Sequence, residues 1–327
     1  MNSQPSRNLA LELVRVTESA ALTSGRLMGR GDGVAVDAAA VRAMRHILNS
    51  IQMDGVIVIG EGEKDEAPML HRGERVGNGE PPEVDVAVDP VDGTTNLAMG
   101  RLESISAVAL APRGTIFDPG PIVYMNKIAV GPECRGVIDL NAPVADNLKR
   151  IAAAKGMNLR DLTAVILDRP RHEQLIAEVR AAGARIRLIP ACDVTAALMT
   201  AYPNSGVDVL FGVGGSPEGV LAACALRAMG GEIQGQLAPR DDRERCWATE
   251  RGLSVDAVLT MDDLVSSDDV FFAATGISDG ELLNGVEYLR DCARTDSLVV
   301  RGSTGTVRRI RATHRLNKIR NLAGIDL

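Results

Sequence analysis

The sequence predicts a mixed α/β protein, with an N-terminal α+β part over residues 1–162 and a C-terminal α/β part over residues 163–327. Three observations predict it. Apolar residues recur at helical spacing through the first fifty positions, before any strand-like run. From Thr163 onward, short β-rich runs alternate with helix signals. The chain is 45% apolar with 33 glycines, which suits a turn-rich globular protein of this length.

The elements follow in order. Leu9, Leu13, Val16 and Ala20 form a helical stripe within 7–28, and the loop from Gly29 to Gly33 ends it. Asp37 reads as the N-cap of a helix over 38–51, whose apolar face is Val41, Met44, Leu48 and Ile51. Val56 to Ile59 is a buried strand. Val84, Val86 and Val88 then alternate with Asp85, Ala87 and Asp89, the period of a second strand that Pro90 is expected to close. Ser104 to Ala111 is a third. Beyond a boundary near 140–162, strands are expected at 164–167, 185–189 and 207–213. Helices are expected at 173–182, through Met199 with Asp193 as its cap, and from Ser216 to Met229. In the last of these Ser216 is a good N-cap and Pro217 a favoured first-turn residue. Strand–helix alternation of this kind implies a parallel sheet.

Net charge is −7, which argues against a general nucleic-acid binder. No apolar run reaches about 18 residues, so no membrane span is expected. The first residues are polar and lack the apolar core of a signal peptide, and a cytoplasmic location is expected. The five cysteines, Cys134, Cys192, Cys224, Cys246 and Cys292, show no paired spacing and are expected to be reduced thiols. The histidines are scattered, so any metal must be held by oxygen.

The stretch from Val84 to Asn96 carries the chemistry. A strand puts Asp85 and Asp89 on one face, which is costly if buried without a cation. Asp92 and Gly93 make a turn that delivers Asp92 and Thr94 beside Asp89. Three acidic oxygens and a hydroxyl at a strand end suit Mg2+ or Mn2+. Glu61 stands past another strand end between two glycines, and Asp65 follows it. Each also reads as part of a solvated acidic loop. Gly212 to Gly219 fails the dinucleotide pattern because Pro217 replaces the last glycine. Its helix start offers the N–H groups of Gly214, Gly215 and Ser216 to an anion, and Glu218 suits a cation or simply complements the helix dipole. Arg169-Pro170-Arg171 presents two guanidiniums around a rigid residue, either a phosphate clamp or a surface charge pair. Tyr124 packs on a ligand or in the core.

Together, Gly60 to Glu63, Asp89-Pro90-Val91-Asp92-Gly93-Thr94, Arg169 to His172 and Gly214 to Gly219 resemble class II fructose-1,6-bisphosphatases, and the likeness spans nearly the whole chain. The resemblance implies an αβαβα layered sugar-phosphatase fold and metal-dependent hydrolysis of the 1-phosphate of fructose 1,6-bisphosphate. It implies Mg2+ or Mn2+ at Asp37, Glu61, Asp89, Asp92 and Glu218. Thr94, Asp65, Glu61 and Asp89 form the candidate catalytic set. Substrate contacts are implied at Asp92, Gly93, Thr94, Tyr124, Arg169, Pro170, Arg171, Asp193 and Gly215, and a homo-oligomer is expected. Two positions depart from the family's usual pattern. Gly33 stands where a lysine is usual, and Ala191-Cys192-Asp193 stands for Asp-Gly-Asp. They leave open a related substrate (sedoheptulose 1,7-bisphosphate, an inositol or specialised sugar phosphate) or a non-catalytic phosphosugar-binding protein.

Overall fold

The computed structural model describes residues 9–61 and 69–323. Helices α1 (Ala10–Ser24) and α2 (Gly33–Leu48) lead into strands β1 (Asp54–Ile59), β2 (Arg75–Val76) and β3 (Glu83–Asp92). Helix α3 (Thr94–Ala98), strands β4 (Ile105–Pro112) and β5 (Tyr124–Val130), and helix α4 (Val144–Lys155) follow. The next stretch alternates: β6 (Thr163–Leu167), α5 (Glu173–Ala182), β7 (Arg185–Ile189), α6 (Asp193–Ala201), β8 (Val209–Gly215), α7 (Ser216–Met229) and β9 (Glu232–Leu237). The chain then runs through α8 (Asp242–Glu250), α9 (Met261–Leu264), β10 (Phe271–Gly276), β11 (Glu287–Tyr288), β12 (Cys292–Arg301), β13 (Thr306–Arg315) and α10 (Leu316–Ala323).

Two sheets organise these elements. An eight-stranded sheet has the order β11-β12-β10-β4-β3-β1-β2, with β13 paired to β12, and a five-stranded sheet has the order β7-β6-β8-β5-β9. The expected parallel pairing holds for β6 with β7 and β8, while β5 and β9 extend that sheet antiparallel. The sheets draw on both sides of residue 162. Strand β5 joins the second sheet, and β10 to β13 complete the first.

The layers are αβαβα. Period-2 alternation sorts the side chains of the large sheet between two cores. Val84, Val86, Val88, Val108 and Leu110 face α1 and α2. Ala87, Ala107, Ala109, Phe272 and Leu298 face the middle layer, where α6 and α7 pack against both sheets. Helices α4 and α5 cover the far face of the second sheet. Small residues dominate the middle contact (Ala222, Ala223 and Ala225 of α7 are all buried), so the layers close tightly with only 2% aromatic residues in the chain.

Four local expectations are corrected. Strand β3 continues through Pro90 to Asp92, because a register irregularity between Asp89 and Asp92 absorbs the missing N–H. Helix α2 starts at Gly33, and its cap is Asp32, whose Oδ1 accepts from Ala35 N at 2.9 Å; Asp37 therefore lies inside the helix. Asp193 is the first residue of α6 and caps nothing. Ser216 is inside α7, with Gly215 in the cap position. Among the described residues all five cysteines are free. No helix among the described residues is long and apolar enough to cross a membrane.

Phe272 is fully buried in the middle layer. Phe272→Ala is expected to destabilise the fold by about 3–5 kcal/mol. In urea unfolding this appears as a lower midpoint at unchanged slope.

Candidate active site

Parallel strands β1 and β3 end side by side, and each delivers acid at its C-terminal end. Gly60 lets β1 stop there. A Cβ on it would lie 2.0 Å from the carbonyl oxygen of Leu70, which instead accepts from Glu61 N at 2.9 Å. Glu61 is thereby aimed toward the end of β3, where Asp89 and Asp92 stand. Gly93 adopts φ 94°, in the left-handed region, and turns the chain into α3 so that Thr94 is its first residue. The loop before α2 is tied to α3 by Gly29 N to Leu97 O at 2.9 Å and Gly31 N to Ala98 O at 2.8 Å. That tie seats Asp37 against Thr94, with Thr94 Oγ1 at 2.7 Å from Asp37 Oδ1 and 3.1 Å from the Val91 carbonyl.

Asp85 has a separate role. It is buried, and its Oδ2 accepts from Thr115 N at 2.9 Å and Ile116 N at 3.1 Å. Its charge is met by these turn N–H groups and by Arg113, whose Nε lies 3.6 Å from Oδ1, so the shared strand face splits into a structural acid and a site acid.

From the other side, the turn between β8 and α7 brings Glu218 into the first turn of α7. Gly214 and Gly215 leave room for carboxylates. A Cβ on Gly214 would lie 1.7 Å from Asp193 Oδ2, and one on Gly215 would lie 1.7 Å from Glu218 Oε2. The anion-binding reading of this turn is corrected in one respect, because the N–H of Ser216 donates to Val123 O at 2.8 Å.

Between the two sides lies a cavity of about 620 Å³, whose wall includes Glu61, Asp89, Asp92, Thr94, Asp193 and Glu218. Tyr124, Arg169 and Arg171 line it as well. Arg171 donates to Val213 O at 2.8 and 3.0 Å and lies over the Tyr124 ring, 5.3 Å from its centroid. Arg169 donates to Asp168 O at 2.9 Å and to the Pro190 carbonyl. Both arginines are held by backbone carbonyls, with further N–H groups available at the cavity. Pro170 does not line the cavity and begins the 3₁₀ turn that separates them. Asp65 lies outside the described residues.

Sequence reasoning missed Lys127, Arg101, Cys192 and His172. Lys127 is 2% exposed, and its Nζ stands 2.6 Å from Asp193 Oδ2. A lysine inside the apolar strand 122–130 was the visible signal. Arg101 lines the cavity. Cys192 adopts φ 78°, a left-handed conformation that favours glycine. His172 fixes the end of β6 to β8, with Nδ1 2.7 Å from Leu167 O while Nε2 accepts from Val213 N at 2.8 Å.

The acids raise one another's pKa. Glu61 is pushed up to about 7, first by burial and then by Asp37 and Glu218. Asp92 is pushed up to about 8 by burial, then by Asp193 and Glu218. Burial, followed by Asp92 and Glu218, drives Asp89 well above the carboxylate range. Glu218 and Asp37 are raised by burial, which Lys127 and Thr94 respectively oppose. Asp92 Oδ2 and Glu218 Oε2 are buried with no hydrogen-bond partner among the described residues. No three Asp, Glu, His or Cys side chains among the described residues are already gathered in ligating geometry. Unsatisfied, mutually repelling, all-oxygen donors nevertheless fit a hard divalent cation in chemistry and charge.

Layered sheets with carboxylates meeting at parallel strand ends, in a cavity that arginines also line, define a phosphatase of the metal-dependent sugar-phosphate class. Residues 7–314 match the family described as bacterial fructose-1,6-bisphosphatase, glpX-encoded, and the chain belongs to that family. It is 45% identical over 325 residues to fructose-1,6-bisphosphatase 1 class 2 of Escherichia coli K12, covering 95% of this chain and 96% of that one. The same figures hold for the fructose-1,6-bisphosphatases class 2 of Escherichia coli O6:H1 and Shigella flexneri. Members of this family are metal-dependent phosphoric monoester hydrolases.

The raised carboxylates set a pH dependence. A carboxyl whose folded pKa exceeds its ordinary value contributes stability that is complete below that ordinary value and lost as pH rises through the folded one. Without divalent cation, the melting temperature is therefore expected to fall as pH rises from the ordinary carboxylate range and to level off above about 7 to 8, where Glu61 and Asp92 have ionised. Mn2+ should restore it, with an increment larger at pH 8 than at pH 5. Thermal melts across pH with and without Mn2+ check this, and a pH-independent increment would contradict it.

Proposed function

We propose that this chain hydrolyses the 1-phosphate of fructose 1,6-bisphosphate to fructose 6-phosphate and phosphate, as a cytoplasmic step of gluconeogenesis. The observation that carries the reading is one cavity lined both by Asp89, Asp92, Glu61 and Glu218 and by Arg169, Arg171 and Tyr124. Mg2+ or Mn2+, held by Asp37, Glu61, Asp89, Asp92 and Glu218, would neutralise the phosphate and stabilise the leaving sugar oxygen.

The chain's own groups do the rest. Thr94 Oγ1 has one hydrogen, and donating it to Asp37 leaves its lone pairs to accept from the attacking water. By accepting that hydrogen bond, Asp37 fixes the orientation of the Thr94 hydroxyl toward the water. Arg169 and Arg171 are placed for the phosphate that is not cleaved, and Tyr124 and Asp193 for the sugar. We assign the carboxylates up to Asp92 to the 1–162 part. Glu218 and the sugar-side residues from Arg169 onward belong to the 163–327 part. Assembly as a homo-oligomer follows the family expectation.

A related substrate has its own support. Across the Pro190–Cys192 segment lies a second crevice of about 220 Å³, and Ala191 carries no group to read a sugar hydroxyl. A longer ketose bisphosphate such as sedoheptulose 1,7-bisphosphate would gain from that room. A panel of sugar phosphates compared by kcat/KM separates the two readings.

Two outcomes test the main one. Asp89→Asn is expected to lower phosphate release from fructose 1,6-bisphosphate roughly a thousandfold in metal-replete buffer. Unchanged release would show that the site is elsewhere. Gly33 begins α2, and a Cβ on it would lie 3.4 Å from Thr94 Cγ2, an ordinary contact. Gly33→Lys is accordingly expected to fold normally and to raise kcat about fivefold, since an ammonium beside a forming oxyanion in a solvated site contributes about 1 kcal/mol.

A further inference from the structure

We propose that Lys127 is a positioning residue: a built-in cation that fixes Asp193 and the Gly215 carbonyl and sets how strongly the carboxylate cluster attracts metal. The assignment rests on the reading of Asp92 and Glu218 as cation ligands and of Asp193 as a sugar contact.

Lys127 projects from β5 into the seam between the second sheet and the middle helices and is 2% exposed. Its Nζ donates to Gly215 O at 2.9 Å and forms an ion pair with Asp193 Oδ2 at 2.6 Å. Three elements meet on one ammonium: β5, the first residue of α6, and the turn from β8 into α7. Gly215 lies three residues before Glu218, so holding its carbonyl fixes the start of the helix that aims Glu218.

The surroundings are built around this charge. A Cβ on Gly214 would lie 3.0 Å from Lys127 Nζ, and one on Gly219 would lie 3.6 Å from it. Its field reaches Glu218 and Asp92 and opposes the rise in both. A buried ammonium needs partners for its hydrogens, and here they are a carboxylate and a carbonyl that both belong to the site.

Two effects follow. Asp193 is held ready to accept from a sugar hydroxyl, with its rotamer set before substrate arrives. The acidic cluster also carries one positive charge of its own, which tempers its attraction for divalent cations in the absence of phosphate. A merely structural lysine would do neither.

The test compares wild type with Lys127→Met, Asp193→Asn and the double variant. It measures Mn2+ affinity of substrate-free protein by calorimetry, together with kcat and KM for fructose 1,6-bisphosphate. Lys127→Met is expected to bind Mn2+ about fivefold more tightly, because one opposing charge is gone. It should also raise KM about tenfold, through loss of a charge-held sugar contact. The double variant should return Mn2+ affinity toward wild type and show no higher KM than Asp193→Asn alone. Unchanged Mn2+ affinity in Lys127→Met, or KM losses that multiply in the double variant, would overturn the assignment. Should Lys127→Met strand its carboxylate and fail to fold, the charge-neutral double variant decides the matter by the same KM criterion. Failure of the double variant to fold would itself overturn the assignment, since a positioning cation is dispensable together with its partner. A wild type that neither binds Mn2+ nor releases phosphate would instead remove the bisphosphatase reading, because the Lys127 assignment is judged only against a working wild type.

Discussion

Crowding of like charge at the ends of β1 and β3 is the constraint around which the other features are arranged. Four elements converge there with Asp37, Glu61, Asp89, Asp92 and Glu218, and every one of these carboxyls is harder to ionise than in water. Burial is the largest cause for each, so the fold itself withdraws the solvent that would have screened them. A protein gains nothing in stability from such an arrangement. It persists because the scaffold around it over-determines the positions: the Leu70 carbonyl holds Glu61, the Gly93 turn holds Thr94, and paired glycines clear space for Glu218 and Asp193.

The scaffold can bear this because its cores are separate from the site. Valines of β3 pack against α1 and α2 on one side, and alanines of β3 and β4 pack against α7 on the other. Close alanine contacts bring α7 within reach of both sheets, which is how Glu218 arrives from so far along the chain. Counter-charges occur where acids are structural. Asp85 takes Arg113 besides two turn N–H groups, and Asp296 takes Arg309. At the site itself a buried cation, Lys127, pairs with Asp193.

Much of this was legible in the chain. The Asp89 to Thr94 string, the Gly60-Glu61 pair and the Gly-Gly-Ser-Pro-Glu helix start are local patterns with local causes, and the structure brings residues of each to one cavity. Strand–helix alternation gave β6, α5, β7, α6, β8 and α7 nearly to the residue. What stayed hidden depends on distant partners. Lys127 reads as an oddity in an apolar strand until Asp193 is placed beside it. Asp85 and Asp89 share a parity, and only the turn at Thr115 and Ile116 tells them apart. Pro90 reads as the end of β3 because a missing N–H usually ends a strand, whereas a local register slip lets the strand continue. Asp32 displaced Asp37 as cap because the helix began earlier than its apolar stripe.

The exchange of strands between the halves of the chain bears on how the protein is made. Strand β4 cannot cover its free edge until β10 has left the ribosome, and β10 in turn waits for β12. Through most of synthesis the nascent chain therefore holds half a sheet, with apolar Ile105 to Ala111 presenting unpaired backbone along one side. Contacts so distant in sequence close slowly. The growing polypeptide thus keeps an open sheet edge until its last hairpin, β12 with β13, is in place.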